Sequence, residues 1–251
     1  GFADFVGRKK YLYDDNGHGT HVAGIIAGSG KGSNGKYRGI APDTFLVSVK
    51  VLDKSGNGKI ENVVEAAGWI IENKSAMNIR VVNISFGTRA KMENGPAIET
   101  GEDDYALIMA VEKMWDSGIV VVAAAGNNGP GNTSVTAPGI SKKIITVGAF
   151  DDKNFFSGRG PTRECIVKPE VVVTGSNIIA CNNHQGRYSS KSGTSMAAPV
   201  VSGAVARLIK NNPDITPKEV KIWMKSCCKK INVPSEKQGW GVLDIRKFVT
   251  G

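Results

Sequence analysis

The sequence lacks an apolar stretch long enough to cross a membrane. A run such as residues 119–125 is fully apolar, but a membrane-spanning helix needs about 20 residues of that kind. Glycine and proline, at 31 and 10 residues, are too few and too irregularly placed for a collagen-like chain or a flexible linker. Because 41% of the residues are hydrophobic, the composition predicts a single compact domain over residues 1–251 and no membrane association.

Cysteine is also scarce, and its four residues follow no metal-binding spacing. Cys165 and Cys181 stand apart, and Cys227 adjoins Cys228. A domain of this size needs no disulfide to be stable, and a bridge between adjacent cysteines would be strained. We therefore expect four free thiols and a cytoplasmic protein, with secretion, its leader outside this sequence, as the alternative.

Short apolar runs alternate with amphipathic segments along the chain, which is typical of an α/β domain with a mainly parallel sheet flanked by helices. The pattern predicts strands over residues 46–52, 81–86, 119–125, 144–150, 170–174 and 177–181. It predicts helices over residues 62–72, 105–116, 195–211 and 217–228. Residues 1–15 and 88–104 are expected to form loops.

Three glycine-rich segments carry polar side chains that indicate chemistry. Ser195 lies at the predicted start of a helix, where free backbone N–H groups and the helix dipole stabilise negative charge. Taken alone, Ser195 has the pattern of a helix N-cap as well. Asn127 follows the apolar run 119–125, and its amide can donate a hydrogen bond to developing negative charge, although an Asn-Asn-Gly turn has the same pattern. The third segment contains His18 and His21.

Together these segments resemble the subtilisin-like serine proteases, the subtilase family. The chain contains His-Gly-Thr-His-Val-Ala-Gly over residues 18–24, Ala-Ala-Gly-Asn over 124–127 and Gly-Thr-Ser-Met-Ala-Ala-Pro over 193–199, in that family's order. Residues 38–42 and 156–161 are similar to the family as well. The resemblance implies a three-layer subtilisin-like α/β fold and a serine endopeptidase that hydrolyses polypeptides through an acyl-enzyme.

The resemblance also implies roles for individual residues. Ser195 is expected to be the nucleophile and His18 the general base and acid. The side chain of Asn127 and the backbone N–H of Ser195 are expected to stabilise the oxyanion, while His21 is a packed structural residue. The resemblance places substrate along two segments and a pocket floor, formed by Ser85, Phe86, Gly87, Ala124, Ala125, Gly126 and Thr136. A threonine at that floor favours medium-sized apolar or polar side chains over large aromatic ones.

One family feature is missing from the sequence, an Asp-Ser/Thr-Gly motif ahead of the histidine. The acidic residues before His18 are Asp4, Asp14 and Asp15, and none of them fits the motif. Without an acceptor for its second ring nitrogen, His18 loses its orientation, which lowers the rate by orders of magnitude. We expect an N-terminal fragment of the same protein, cleaved before Gly1 but still bound, to supply the carboxylate. A shortened expressed chain and an inactive, protein-binding relative are the alternatives.

Other cofactors and partners are not expected. Residues 30–37 nearly match a phosphate-binding loop, but Tyr37 replaces the required serine or threonine. Basic residues are scattered without interleaved aromatics, so we expect no nucleic-acid binding despite a net charge of +9. The family often binds calcium, but the resemblance assigns it no position here. The nearest loop, residues 28–36, carries two lysines. No cofactor is expected to be required.

Overall fold

The computed structural model describes residues 1–88, 101–184 and 188–251, and in it a mainly parallel sheet lies between two layers of helices. The strands are β1 (Phe2–Asp4), β2 (Ser48–Lys50), β3 (Val81–Ile84), β4 (Val120–Ala124), β5 (Ile145–Ala149), β6 (Val171–Val173), β7 (Ile178–Cys181), β8 (Tyr188–Lys191), β9 (Cys228–Lys229) and β10 (Val242–Leu243). The helices are α1 (His18–Ala27), α2 (Ile60–Asn73), α3 (Glu102–Asp116), α4 (Thr194–Asn211), α5 (Pro217–Ser226), α6 (Ser235–Gln238) and α7 (Ile245–Val249), with a 3₁₀ turn at Lys31–Ser33. The predicted α/β architecture is confirmed.

The central sheet has six strands in the order β3-β4-β5-β6-β10-β9. Strands β3 to β6 and β10 are parallel, and β9 runs antiparallel to β10. Every residue of β4 is buried, because α4 packs on one face of the sheet and α3 on the other. Strands covered on both faces consist of continuous apolar residues, which is why the sequence pattern finds the central ones within two residues of their observed ends.

The prediction is wrong in three places, and it misses helix α1 and several short elements. Cys228, predicted to end a helix, belongs to β9 and pairs with Leu243. Residues 1–15 are expected to be a loop, yet Phe2–Asp4 pairs in parallel with Ser48–Lys50. Helix α3 begins at Glu102 rather than at residue 105, and residues 89–100 of the expected loop lie outside the described residues. Strands β9 and β10 contain two residues each, too few to show a period. None of the described helices is long and apolar enough to cross a membrane.

A groove separates β2 from β3. Strand β2 is paired with β1 and strand β3 with β4, and across the described residues no other strand pairs with the two edges that face the groove. The groove has a volume of about 1860 Å³, and apolar side chains of α1, α2, β2 and β3 contribute to its lining. Phe45, also in the lining, is 99% exposed. Unpaired strand edges beside apolar walls form a surface to which a further strand can add.

Candidate active site

Ser195 is the second residue of α4, directly after the glycine and threonine that begin the helix. Gly193, the N-cap, has φ = 147°, a backbone conformation that residues other than glycine rarely adopt. The N–H of Ser195 belongs to the first helical turn, where N–H groups have no partner within the helix, and no described residue accepts from it. The half-buried hydroxyl of Ser195 therefore lies beside an unpaired donor at the positive end of a helix.

Two reciprocal hydrogen bonds tie Ser195 to the end of β3. Ser195 Oγ donates to the carbonyl oxygen of Ser85 at 2.9 Å, and Ser85 Oγ donates to the carbonyl oxygen of Ser195 at 3.0 Å. Asn83 extends the chain of bonds, because its Nδ2 donates to Ser85 Oγ and its Oδ1 accepts from Ser202 Oγ of α4, both at 2.9 Å. These bonds hold β3 in register with the N-terminal half of α4 and so position Ser195.

Asn127, which follows β4 by three residues, is oriented by the start of α4. Its Oδ1 accepts from the backbone N–H of Thr194 at 3.0 Å and from Thr194 Oγ1 at 3.1 Å. Thr194 Oγ1 in turn accepts from the N–H of Gly126 at 3.1 Å. Since both of these hydrogen bonds end on Oδ1 of the Asn127 side chain, the N–H groups of Nδ2 can donate to another acceptor. A Cβ placed on Gly193 would lie 3.2 Å from this Nδ2, so the predicted oxyanion donor adjoins the helix start.

Sequence reasoning missed Thr194 as a functional residue. It lies next to the predicted nucleophile and is fully buried, and it joins the segment after β4 that carries Asn127 to the helix that carries Ser195. The sequence gives little indication of a role for Thr194, because threonine is common at the start of a helix, where it caps the first turn. The contact with Asn127 spans 67 residues of sequence, and spacing does not reveal such a contact.

His18 is the first residue of α1 and is half-buried in the lining of the groove. Burial lowers the pKa of His18, and so does the positive charge of Lys191, while the carboxylate of Asp14 raises it. A lowered pKa keeps the imidazole neutral near pH 7, the form that accepts a proton. Across the described residues the ring of His18 makes no hydrogen bond, either to Ser195 or to a carboxylate. The structure therefore provides a proton acceptor that no neighbouring group orients.

The three acidic residues ahead of His18 are each engaged elsewhere. Asp4 accepts four hydrogen bonds of 2.9 Å, from three backbone N–H groups and from the hydroxyl of Tyr13. Asp14 accepts from backbone N–H groups around the start of α1, including Thr20 at 2.8 Å. Burial would raise the pKa of both carboxyl groups. The backbone and hydroxyl donors, which for Asp14 include Thr20 Oγ1 at 2.6 Å, lower each pKa to about 2. Asp15 pairs with Lys50 at 2.6 Å.

The other two histidines have no place in this arrangement. His21 is fully buried one turn after His18, and its Nε2 lies 3.0 Å from the carbonyl oxygen of Ser189. Burial lowers its pKa, so it is a packed neutral histidine, as the resemblance implies. His184 is exposed in the loop after β7, and its ring makes no hydrogen bond to a described residue.

Thr136 lies between the two segments that the resemblance assigns to substrate. Its backbone N–H donates to the carbonyl oxygen of Ala125 at 3.1 Å. A Cβ at Gly87 or at Gly126 would lie 2.6 Å from Thr136 Oγ1, which is too close for any side chain. The glycines therefore let both segments approach the threonine, and the structure brings these predicted residues together.

The two segments differ in the backbone groups that they offer to a peptide. In the described part of the chain, neither the N–H nor the carbonyl of Gly87 is paired. The carbonyl oxygens of Ala125 and Gly126, by contrast, accept from the N–H groups of Thr136 and Gly158, at 3.1 and 2.8 Å. Gly87, beside the half-buried Phe86, therefore offers a free backbone edge, whereas the segment from Ala124 to Gly126 forms a wall rather than a second free edge.

The loop over residues 28–36 does not fit calcium. It contains no carboxylate, and calcium sites in proteins are built mainly from carboxylate and carbonyl oxygens. The carbonyl oxygen of Gly30 already accepts from the N–H groups of Ser33 and Gly35 at 3.0 and 2.9 Å. Over residues 1–88, 101–184 and 188–251, no group of three or more His, Cys, Asp or Glu could hold a metal ion.

The chain is similar to known proteins over nearly its whole length. A family model described as the subtilase family matches residues 4–241. Serine protease AprX of Bacillus subtilis (strain 168) is 41% identical over 253 residues, covering 90% of this chain and 56% of that protein. Subtilisin DY of Bacillus licheniformis is 35% identical over 223 residues, covering 88% of this chain and 73% of that protein.

Solved structures match the fold as well. Sphericase has a TM-score of 0.80 at 26% identity, covering 96% of this chain and 82% of that one. A cold adapted subtilisin-like serine proteinase has a TM-score of 0.74 at 30% identity, covering 96% of this chain and 77% of that one. The chain spans 56% of the length of AprX, so it corresponds to about half of that relative.

Proposed function

Because the chain belongs to the subtilase family of serine proteases, we propose that it is an endopeptidase that hydrolyses peptide bonds through an acyl-enzyme on Ser195. The observation that carries this proposal is the pair of hydrogen bonds from Thr194 to Asn127 Oδ1. They bring a side-chain donor and the free N–H of Ser195 to one side of a helix start. Two donors beside a hydroxyl are the arrangement that stabilises the tetrahedral intermediate of acyl transfer.

In the proposed reaction, the hydroxyl of Ser195 leaves its hydrogen bond to Ser85 and attacks the substrate carbonyl carbon. His18 takes the hydroxyl proton while the new C–O bond forms. The carbonyl oxygen becomes an oxyanion, which accepts from Asn127 Nδ2 and from the N–H of Ser195. When the oxyanion collapses, the C–N bond breaks and His18 gives its proton to the leaving amine. Water then repeats the attack on the acyl carbon, and Ser195 regains its proton from His18.

The orientation of His18 requires a carboxylate, which we propose comes from a further segment of the same protein lying as a strand between β2 and β3. Such a strand would carry the Asp-Ser/Thr-Gly motif and complete the central sheet. The groove of about 1860 Å³ supports this proposal, as does the exposure of Phe45 beside it. So does the engagement of Asp4, Asp14 and Asp15 with other groups.

A fluorophosphonate probe tests the proposed nucleophile. We expect the wild-type protein to be labelled on Ser195 and the Ser195→Ala variant to be unlabelled. Ser190→Ala is the matched control, because Ser190 is exposed and its side chain makes no hydrogen bond to a described residue, and this variant should be labelled at the wild-type rate. Absence of labelling in the wild type would favour an inactive relative that binds proteins, and labelling of Ser195→Ala would assign the nucleophile elsewhere.

Two measurements test whether a further segment of the protein lies as a strand between β2 and β3. Intact mass spectrometry of the natural protein under denaturing conditions should reveal either one longer chain or a second, smaller polypeptide in equal amount.

Val82→Lys should weaken attachment of the segment, because Val82 lines the groove and a lysine there would bury charge. We expect this variant to lose labelling, whereas Val64→Lys, at a site that is 43% exposed on α2, should retain it. Equal labelling of both variants contradicts the proposal.

Cofactor, compartment and specificity are further parts of the proposal. The proposed steps use only groups of the protein, so activity should survive a chelator, and an unchanged melting midpoint in the chelator would argue against a calcium site. The four free thiols fit the cytoplasm, whereas a relative that is 30% identical is named a minor extracellular protease, which favours the alternative of secretion. Detection of the protein in the culture medium would decide for secretion. Burial of Thr136 between two glycine segments supports a preference for medium-sized side chains before the cleaved bond, which a peptide library tests.

A further inference from the structure

Lys191 is a half-buried cation close to the proposed catalytic groups. It is the last residue of β8, four positions before Ser195. Within the described parts of the chain it makes no salt bridge and no side-chain hydrogen bond. A lysine that gives up part of its hydration without gaining a partner is unfavourable, which suggests that its partner is a group outside the protein.

The geometry of β8 turns Lys191 towards α1. Neighbouring residues of a strand face opposite sides. The ring of Tyr188 lies 5.1 Å from that of Tyr37 in a tilted contact and Ser190 is exposed, whereas Ser189 Oγ is buried and the Ser189 carbonyl meets His21 of α1. Lys191, two positions after Ser189, therefore shares the side that faces α1. Its register partner across the hairpin is Ile178 of β7, a strand that packs on the same helix.

The electrostatics agree with this placement. The charge of Lys191 is among the causes that lower the pKa of both His18 and His21. The nearby carboxylate that opposes it at His18 is Asp14, whose oxygens are already engaged by backbone donors and Thr20. Because Lys191 lowers the pKa of His18 more than Asp14 raises it, the positive charge of Lys191 is only partly compensated at His18.

This charge lies on the side where the leaving group departs. His18 gives its proton to the amine of the residue that follows the cleaved bond, so groups beside His18 meet that residue and the next one. In the proposed reaction the acyl side of the substrate would pair instead with the backbone of Gly87, which no described group engages, beyond the contact between Ser85 and Ser195. Lys191 therefore meets substrate residues on the C-terminal side of the cleaved bond.

We propose that Lys191 selects substrates with Asp or Glu at the first or second position after the cleaved bond. This inference rests on the proposed peptidase activity. A substrate carboxylate there would pair with the ammonium of Lys191 and would also remove the repulsion that a protonated His18 meets during the reaction. A lysine or arginine at the same positions would add to that repulsion.

Quenched peptides that differ only at these two positions, with Asp, Asn or Lys, test the inference on the full-length protein. Mass spectrometry fixes the cleaved bond. We expect kcat/KM for Asp to exceed that for Lys by about five- to tenfold, the scale of a partly exposed ion pair, and the ratio to shrink at about 1 M salt. Lys191→Met should bring the ratio close to 1, Lys191→Glu should invert it, and Lys191→Arg should preserve it.

Lys218→Met is the matched control, because it removes one positive charge from an exposed position of α5 and should leave the ratio unchanged. Labelling by the fluorophosphonate, which has no leaving peptide, verifies that each variant keeps a working nucleophile. A wild-type ratio near 1, or the same ratio in Lys191→Met, overturns the inference while the peptidase activity stands. A wild-type protein that neither labels nor cleaves overturns the proposed function and this inference with it.

Discussion

Thr194→Val tests whether the start of α4 orients the oxyanion donor. Valine keeps the shape of threonine but loses Oγ1, which donates to Asn127 Oδ1 and accepts from the N–H of Gly126. Asn127 then retains one of its two bonds, the one from the backbone N–H of Thr194 at 3.0 Å. Its carboxamide can rotate more freely, so Nδ2 spends less time directed at the oxyanion.

The magnitude follows from the bonds that are lost. The N–H of Gly126 is left without an acceptor in a half-buried position, which costs about 1–2 kcal/mol, and the lost bond to Asn127 adds about 1 kcal/mol. We therefore expect the free energy of unfolding to fall by about 2–3 kcal/mol. Loss of orientation worth about 1.4 kcal/mol would lower kcat/KM by about tenfold. Complete removal of the donor by Asn127→Leu should cost more, about 10²–10³-fold, a range measured on a subtilisin of this family.

Steady-state hydrolysis of one peptide and denaturant unfolding of each variant provide the two readouts. Thr194→Ser is the control, because serine keeps the hydroxyl, and it should stay within about twofold of the wild-type kcat/KM. If Thr194→Val is folded and as active as the wild type, Thr194 does not position Asn127. If Thr194→Ser loses as much activity as Thr194→Val, packing of the methyl group rather than the hydroxyl is responsible.

Three further predictions concern titration and reactivity. Asp4→Asn should lower the free energy of unfolding by about 2 kcal/mol at pH 7. Because its carboxyl has a pKa of about 2 in the folded chain, against an ordinary 3.8, the stability it contributes should be lost between about pH 4 and pH 2, and acid unfolding of both proteins measures this. Removing the charge of Lys191 by Lys191→Met should raise the pKa of His18, so the acid limb of the kcat/KM profile should move to higher pH; an unmoved limb contradicts the contact. Burial raises the pKa of Cys228 to about 12, so iodoacetamide at pH 8 should modify the exposed Cys165 first, and mass spectrometry of partly alkylated protein would expose the reverse order.

The comparison of prediction and structure shows which information is local. The central strands were predictable because burial on both faces selects unbroken apolar residues, as in β4. Helix α5 was predictable because Thr216 and Glu219 form a capping box beside a proline at the first position. Strand β1 was not predictable, since three residues show no period and their partner, β2, lies more than forty positions away.

The sequence by itself determined the family, and through its resemblance to that family it predicted the nucleophile, the base and the oxyanion donor, because each lies in a short motif whose backbone conformation is set by adjacent glycines and helix starts. It also revealed that the carboxylate motif is missing. The tertiary structure alone decided how those motifs meet, through Thr194 and Asn127 and through Ser85 and Ser195. It alone revealed the groove between β2 and β3, and a Lys191 near His18 that pairs with none of the described residues. The physical reason is that strand order and register fix contacts across more than 60 positions of sequence, whereas a motif fixes only the backbone of its own few residues.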